Sequence, residues 1–137
     1  MPHSDVSIAI IGGGLGGLTA ALSLLQDGFD VHLYERATVL REVGAGIQVS
    51  PNASRVLHRL GLADELAKMG VRPLAWHQRR WQDGRTLLRT PLAGAIETAF
   101  GFRHYQTHRA DLLNALLRAI PAEHVHPGHR LTGPMES

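Results

Sequence analysis

The sequence contains no cysteine and no long apolar run. Zero cysteines among 137 residues exclude disulfides, thiolate zinc sites and a cysteine nucleophile. No apolar run approaches the roughly 20 residues that cross a bilayer as a helix. The N-terminus also lacks the basic start and apolar core of a secretion signal. We therefore expect a cytoplasmic protein without a membrane partner.

Neither positive nor negative charge is in large excess. The formal net charge is +2, and the arginines are spread along the chain without interleaved aromatics, so nucleic acid is not an expected partner. No serine lies in a G-x-S-x-G elbow, which leaves a hydrolase triad unsupported. Among nine histidines the cluster is His124, His126 and His129, and Pro127 and Gly128 interrupt it. We expect no metal site.

The strongest pattern present lies in residues 6–35. An apolar run at 6–11 predicts a buried parallel strand, leucines at helical spacing follow, and residues 29–35 predict a second strand. Between the first strand and the helix stands a G-x-G-x-x-G motif, and an acid ends the second strand about 20 residues later. The residues at the motif's fixed positions are Gly12, Gly14, Gly17 and Glu35. The pattern indicates a dinucleotide-binding β-α-β unit.

Each motif residue has a physical role. Gly12 permits the tight turn, Gly14 lets the backbone approach a pyrophosphate, and Gly17 lets the helix pack closely on the sheet. Leu15 opens the helix, whose free N–H groups attract phosphate. Glu35 accepts hydrogen bonds from a ribose diol and repels a 2′-phosphate, so NADP is not expected here. The alternative is a glycine-rich turn in an unrelated α/β protein.

Two further segments complete the first half of the chain. After an irregular connection over residues 36–43, glycines surround one alanine at residues 44–48, and such a backbone can lie flat against a ligand. Gln48 offers both a donor and an acceptor, although a plain loop or short strand is the alternative. Capping signals predict helices over residues 50–61 and 63–69.

The second half begins with a β hairpin. Residues 74–81 and 86–89 read as strands around an Asp-Gly turn. Residues 90–101 show little periodicity and predict an irregular connection. The remaining expected elements are a strand at 102–107, a helix at 112–120, a strand at 125–132 and an irregular end. Arg109 stands at the N-terminal end of that helix, the unfavourable end for a cation. An anion facing Arg109 would explain this placement, and a solvated arginine is the alternative.

These motifs together carry a resemblance to a known family. With Glu35-Arg36, residues 44–48 (Gly-Ala-Gly-Ile-Gln) and residues 108–112 (His-Arg-Ala-Asp-Leu) in this order, the chain resembles the flavin-dependent aromatic hydroxylases. Those are FAD monooxygenases similar to salicylate and 6-hydroxynicotinate hydroxylases. The resemblance implies that the glycine turn holds the FAD pyrophosphate, Glu35 the adenosine ribose, and that Arg36 lies by the adenine.

The resemblance also implies roles for the later motifs. Ala45, Gly46 and Gln48 would lie near the flavin-ribityl end and the substrate cavity, and Arg109 would be the family's FAD-binding arginine. The implied reaction hydroxylates a phenolic or hydroxypyridine carboxylate ring with O2 and either NADH or NADPH. No residue is a convincing catalytic acid, base or nucleophile. Family members are much longer, so we expect an N-terminal portion that is inactive alone and can self-associate as a homo-oligomer.

The expected fold is α/β, a partial Rossmann-like FAD-binding domain with a parallel sheet plus the first β hairpin of a substrate-domain sheet. The expected division is residues 1–73 for the first part of the FAD-binding domain, 74–107 for the start of the substrate sheet, and 108–137 for the return. Two alternatives stay open. One is an NAD(H)-binding dehydrogenase domain, and the other is a non-catalytic truncated fragment.

Overall fold

The structure, a computed structural model, describes residues 3–40 and 44–133, with side chains from Val6 onward. They form two compact units, one from Met1–Gly44 with Ala110–Ser137 and one from Ala45–Arg109. The division into three segments inferred from the sequence stays a prediction. Residues 41–43 of the expected connection and 134–137 of the expected irregular end lie outside the described residues.

The described residues form both strands and helices. In order they are β1 (His3–Ile11), α1 (Leu15–Gln26), β2 (Phe29–Glu35), β3 (Gly46–Val49), α2 (Pro51–Arg59), α3 (Ala63–Met69), β4 (Ala75–Arg79), β5 (Thr86–Pro91), α4 (Ala95–Phe100), β6 (Tyr105–His108), α5 (Arg109–Ala119), a short 3₁₀ helix (Ala122–His124) and β7 (Val125–Pro127). No described helix is both long and apolar enough to cross a membrane. The α/β class expected from the sequence is confirmed.

The first unit is built on a parallel sheet in the order β1-β2-β7. Ile8 pairs with Val31 and Ile10 with Leu33, as expected for two apolar strands joined through a helix. Helix α1 packs against β2, and Val31 and Leu33 are buried on one face of the sheet. Burying each such side chain contributes about 1.5–3 kcal/mol. The β-α-β unit predicted from the sequence is confirmed. The expectation that residues 6–11 form a buried strand was wrong, because β1 lies at the edge of the described sheet and none of these residues is buried, with Val6 53% and Ile11 51% exposed.

The second unit holds two antiparallel ribbons and three helices. Strand β3 pairs with β6, and β4 pairs with β5 around a turn in which Gly84 has a φ of 71°. The predicted hairpin is therefore confirmed, and its membership of a larger substrate-domain sheet stays a prediction. The core of this unit consists of Val49, Leu57, Leu60, Leu62, Leu66, Leu92 and Tyr105.

The expectation of an irregular connection over residues 90–101 was wrong, because α4 forms there. This helix is six residues long, too short for apolar spacing to predict it. Glu97 of the helix pairs with two arginines outside it. Glu97 accepts a hydrogen bond from Arg103 Nε at 2.9 Å and lies 3.6 Å from Arg72 Nη2. Gly101, with a φ of 74°, then ends the helix in the left-handed conformation.

Two expected strands are shorter in the structure. The predicted strand at 102–107 is β6, which has four residues and ends at His108. The predicted helix is α5, with Arg109 at its N-terminal end as expected. The predicted strand at 125–132 ends at Pro127, because Gly128 follows with a φ of 75°, which is not a strand conformation.

Candidate nucleotide site

The glycine motif forms a tight turn at the carboxyl end of β1. Gly12 has a φ of 108°, a conformation that side chains with a Cβ rarely adopt. Its N–H donates to Tyr34 O at 2.8 Å, which ties the turn to β2. The chain therefore leaves the sheet at the point where parallel-sheet proteins bind nucleotides.

Gly17 and Gly14 satisfy opposite spatial demands. A Cβ on Gly17 would lie 1.9 Å from Gly12 O, so the first turn of α1 packs directly on the glycine turn. A Cβ on Gly14 would meet nothing within 4 Å. Open space thus lies in front of the turn, while its rear is tightly packed.

The start of α1 has the features of an anion site. Gly14 is the N-cap and supplies no side-chain hydrogen bond, and the first turn, which begins at Leu15, contains no acidic residue. The first N–H groups of a helix have no intrahelical partner and carry the positive end of the helix dipole. A phosphate placed there would satisfy these N–H groups.

Glu35 is held beside the turn by two backbone donors. Gly13 N–H donates to Oε2 at 2.7 Å and Ala37 N–H donates to Oε1 at 2.8 Å. The Ala37 bond and then the Gly13 bond lower the pKa of this carboxyl below its ordinary value. An ionised carboxylate has about four acceptor directions, so Glu35 can still accept from a hydroxyl pair.

Gly13 is a site residue that the sequence reasoning did not assign. A Cβ there would lie 2.6 Å from Leu40 Cδ2 and 3.1 Å from Glu35 Cβ. A side chain at this position would therefore crowd the carboxylate that the Gly13 N–H holds. The available signal was an additional glycine between Gly12 and Gly14, at a position that the motif leaves open.

Glu35 also lines two pockets within the first unit. One has a volume of about 170 Å³ and is lined by Gly13, Gly14 and Leu113 in addition to Glu35. The other has a volume of about 240 Å³, and Arg36 and residues 129–131 line it with Glu35. Leu113 and residues 129–131 are far from the motif in sequence, so the pattern could not reveal them.

The remaining predicted site residues belong to the second unit. Ala45 precedes β3, Gly46 and Gln48 lie on β3, and all three are exposed. Arg109 N–H donates to Ala45 O at 3.2 Å, next to the Gly46–His108 pair of the ribbon. The structure thus brings Ala45, Gly46, Gln48 and Arg109 together on one ribbon. Their cofactor contacts stay a prediction.

The histidines pair differently from the cluster seen in the sequence. His126 Nε2 lies 2.9 Å from His32 Nδ1 on the neighbouring strand, and His124 Nδ1 donates to Val31 O at 2.8 Å. Within residues 3–40 and 44–133 no trio of His, Asp or Glu side chains is placed to hold a metal ion. These rings therefore serve as links between β2 and the segment around β7.

Known proteins are similar to this chain in sequence and in fold. The chain is 48% identical over 128 residues to the 3-amino-4-hydroxybenzoate 2-monooxygenase of Streptomyces cremeus, covering 93% of this chain and 32% of that protein. It is 41% identical over 114 residues to the 6-hydroxynicotinate 3-monooxygenase of Pseudomonas fluorescens, covering 83% and 30%. The chain therefore spans about a third of the length of these curated relatives.

The chain is also similar to a solved structure. The Klebsiella pneumoniae HpxO complexed with FAD and uric acid superimposes with a TM-score of 0.85 and 29% identity, over 96% of this chain and 33% of that one. The family model of the FAD binding domain matches residues 5–131. That match includes the glycine turn, Glu35, the β3–β6 ribbon and α5, so the chain belongs to the FAD binding domain family.

Proposed function

We propose that this chain binds the adenosine half of FAD in its first unit. The observation that carries the proposal is the geometry of Glu35, which two backbone N–H groups hold beside the open N-terminus of α1. The pyrophosphate would lie at Gly14 and Leu15, where helix N–H groups can donate to it. The ribose hydroxyls would donate to Glu35.

The adenine fits the larger of the two pockets lined by Glu35. This pocket of about 240 Å³ extends past Arg36 to residues 129–131. The ribose-binding carboxylate and the base pocket must adjoin in any adenosine site, and these two do. This assignment agrees with the role of Arg36 that the resemblance implies.

We further propose that the protein acts as an FAD-dependent monooxygenase on a small aromatic ring bearing hydroxyl and carboxylate groups. The names of its relatives support that class of substrate. The oxygen-transfer chemistry would come from the bound flavin, with NADH or NADPH as the reductant. The protein would orient the ring, exclude water and supply hydrogen bonds. Ala45, Gly46 and Gln48 would lie at the flavin-ring end of the cofactor. Assembly as a homo-oligomer stays a prediction, and so does a cytoplasmic location.

The visible spectrum of the purified chain, before and after adding FAD, tests the proposal. Flavin retained through gel filtration supports it. A colourless protein that binds NAD instead would favour a dehydrogenase domain, and one that binds neither would favour a non-catalytic fragment. Either of those results would contradict the assignment of Glu35 and the α1 N-terminus to FAD.

We expect the 137-residue chain to give no hydroxylated product on its own. Large apolar side chains are exposed on either side of β4, with Leu74 at 73% and Trp81 at 88%, and on β1, with Val6 at 53%. Efficient oxygen transfer requires a site closed to water. The measurement is product formed per NAD(P)H consumed, with 6-hydroxynicotinate and 4-hydroxybenzoate. Product in near-equal proportion to the consumed NAD(P)H would contradict the expectation.

Arg109→Ala should lower FAD retention with little change in the melting temperature of the apoprotein. Arg109 is exposed at the first position of α5, where a cation opposes the helix dipole, so its placement suits an anionic ligand better than stability. The matched control is Arg55→Ala, which removes an exposed arginine from α2 in the same unit. A lower melting temperature with unchanged FAD affinity would show that Arg109 is structural.

A further inference from the structure

Two histidine rings form a hydrogen bond between strands β2 and β7. His32 Nδ1 lies 2.9 Å from His126 Nε2, although the two residues are 94 positions apart in the chain. On its other side, His32 Nε2 lies 3.4 Å from Asp30 Oδ1. The His126 ring also stacks on Tyr34, with 4.8 Å between the ring centroids. The two rings thus connect β7 to β2 in addition to the backbone pairing of these strands.

Strand β7 is short and offers little apolar surface. It is three residues long, its residues are half-buried or exposed, and it lies at the edge of the described sheet. An edge element that buries few apolar contacts opens at a low free-energy cost. Side-chain bonds from β2 therefore make up a larger share of its stability than they would for a central strand.

The residues after β7 form part of the proposed adenine pocket. Residues 129–131 follow the strand closely and line the pocket of about 240 Å³ together with Glu35. Two backbone bonds continue the attachment, from Gly128 N–H to Ala37 O at 3.0 Å and from His129 N–H to Glu35 O at 2.9 Å. Because these bonds come directly after β7, separation of β7 from β2 would displace this wall of the pocket.

The bond between the two rings depends on the number of protons that they share. A neutral imidazole has one N–H group and one acceptor nitrogen, whereas a protonated imidazole has two N–H groups and no acceptor. The bond between His32 and His126 therefore forms when both rings are neutral or when one of them is charged. When both are charged, two N–H groups would face each other across 2.9 Å, so the second proton opens the pair.

We propose that His32 and His126 are positioning residues for the adenine pocket, and that they hold it only while at least one of the two rings is neutral. The open pair takes up one more proton than the closed pair, so a falling pH favours the open pair and lowers FAD affinity. Imidazoles ordinarily titrate between about pH 5 and pH 8, which sets the range of the effect. This inference rests on the proposed function, because it requires residues 129–131 to bind the adenine.

Other titratable groups surround the two rings and can add their own pH dependence. Those on β2 and on the segment around β7 are Asp30, Tyr34, His124, His129 and Arg130. The residues of β1 that pair with this part of β2 are uncharged, namely Ser7, Ala9 and Ile11. Glu35 stays ionised, because backbone bonds from Ala37 and Gly13 lower the pKa of its carboxyl below the ordinary value. The test must therefore isolate His32 and His126 from the neighbouring histidines.

Substitution of His126 provides that isolation. Glutamine reaches about as far as the histidine Nε2 atom and stays neutral, so His126→Gln keeps a hydrogen-bonding group near His32, whereas His126→Leu removes it. At pH 8 we expect His126→Leu to bind FAD about threefold to tenfold more weakly, and His126→Gln to stay within about twofold of the unsubstituted chain. Between about pH 8 and pH 5, the unsubstituted chain should lose more affinity than His126→Gln. Fluorescence titration of FAD at each pH provides the readout.

Hydrogen exchange at two amides reports the position of β7 without a ligand. The N–H groups of Gly128 and His129 are bonded to the segment at the end of β2, so their exchange is slow only while β7 is docked. Their protection factors should fall by about threefold to tenfold in His126→Leu. The matched control is His77→Gln, which replaces an exposed histidine bonded to Thr86 in the β4–β5 hairpin and should leave FAD affinity and amide protection unchanged.

The outcomes separate this inference from the proposed function. If FAD and ADP-ribose both fail to bind the unsubstituted chain at pH 8, the adenosine site at Glu35 is wrong and the positioning role is wrong with it. If FAD binds, but His126→Leu matches the His77→Gln control in affinity and in amide protection, the adenosine site stands and the histidine pair does not position it. Equal pH dependence in the unsubstituted chain and in His126→Gln would overturn the role of the shared proton.

Discussion

Gly17→Ala is expected to destabilise the chain by about 1–3 kcal/mol, the usual range for overpacking, and to abolish FAD retention. The added Cβ would lie 1.9 Å from Gly12 O, and a backbone carbonyl cannot rotate away as a side chain can. Either α1 must move from the sheet or the turn must open. Both changes displace the N–H groups proposed to bind the pyrophosphate. Urea unfolding and FAD titration measure the two effects.

Gly16→Ala is the matched control for this prediction. It adds the same methyl group one residue earlier, where a Cβ would meet nothing within 4 Å. Removing a glycine from a helix gains up to about 1 kcal/mol, so the stability of this variant should hold or rise. If Gly17→Ala were as stable as Gly16→Ala and retained FAD, the close packing of α1 on the glycine turn would not matter for the fold or the site.

Glu35→Lys is expected to weaken FAD binding by roughly 10- to 100-fold. A hydrogen bond to a charged group contributes about 1.5–3 kcal/mol, and lysine has no acceptor for the ribose hydroxyls. Lysine would also leave the N–H groups of Gly13 and Ala37 without their carboxylate partner. Fluorescence titration of FAD measures the loss.

Glu35→Gln should have a smaller effect on the same titration. The amide keeps one oxygen, so it can accept from one of the two backbone donors or from the ribose, while its NH2 group faces the other donor. Glu123→Lys makes the same charge change as Glu35→Lys at an exposed position of the first unit and should leave FAD affinity unchanged. Equal affinity in Glu35→Lys and Glu123→Lys would remove Glu35 from the site.

The β-α-β unit could be predicted from the sequence because its causes are local. A φ of 108° at Gly12 favours glycine. The two-residue and 3.6-residue periods of apolar side chains distinguish strand from helix, and Glu35 is the last residue of the second strand. The Asp-Gly hairpin has the same local origin, since its turn type depends on the residues within it. The glycine turn, Glu35 and the hairpin were therefore accessible without a structure.

Tertiary structure alone decided the remaining features, because each depends on residues distant along the chain. The bond from Gly13 to Glu35 spans 22 positions, and Leu113 and residues 129–131 reach the pockets beside Glu35 only through α5 and β7. Helix α4 is too short to be predicted from apolar spacing, and Glu97 pairs with arginines outside it. The pairing of β3 with β6 likewise joins segments that are distant along the chain, and the sequence of neither strand identifies its partner.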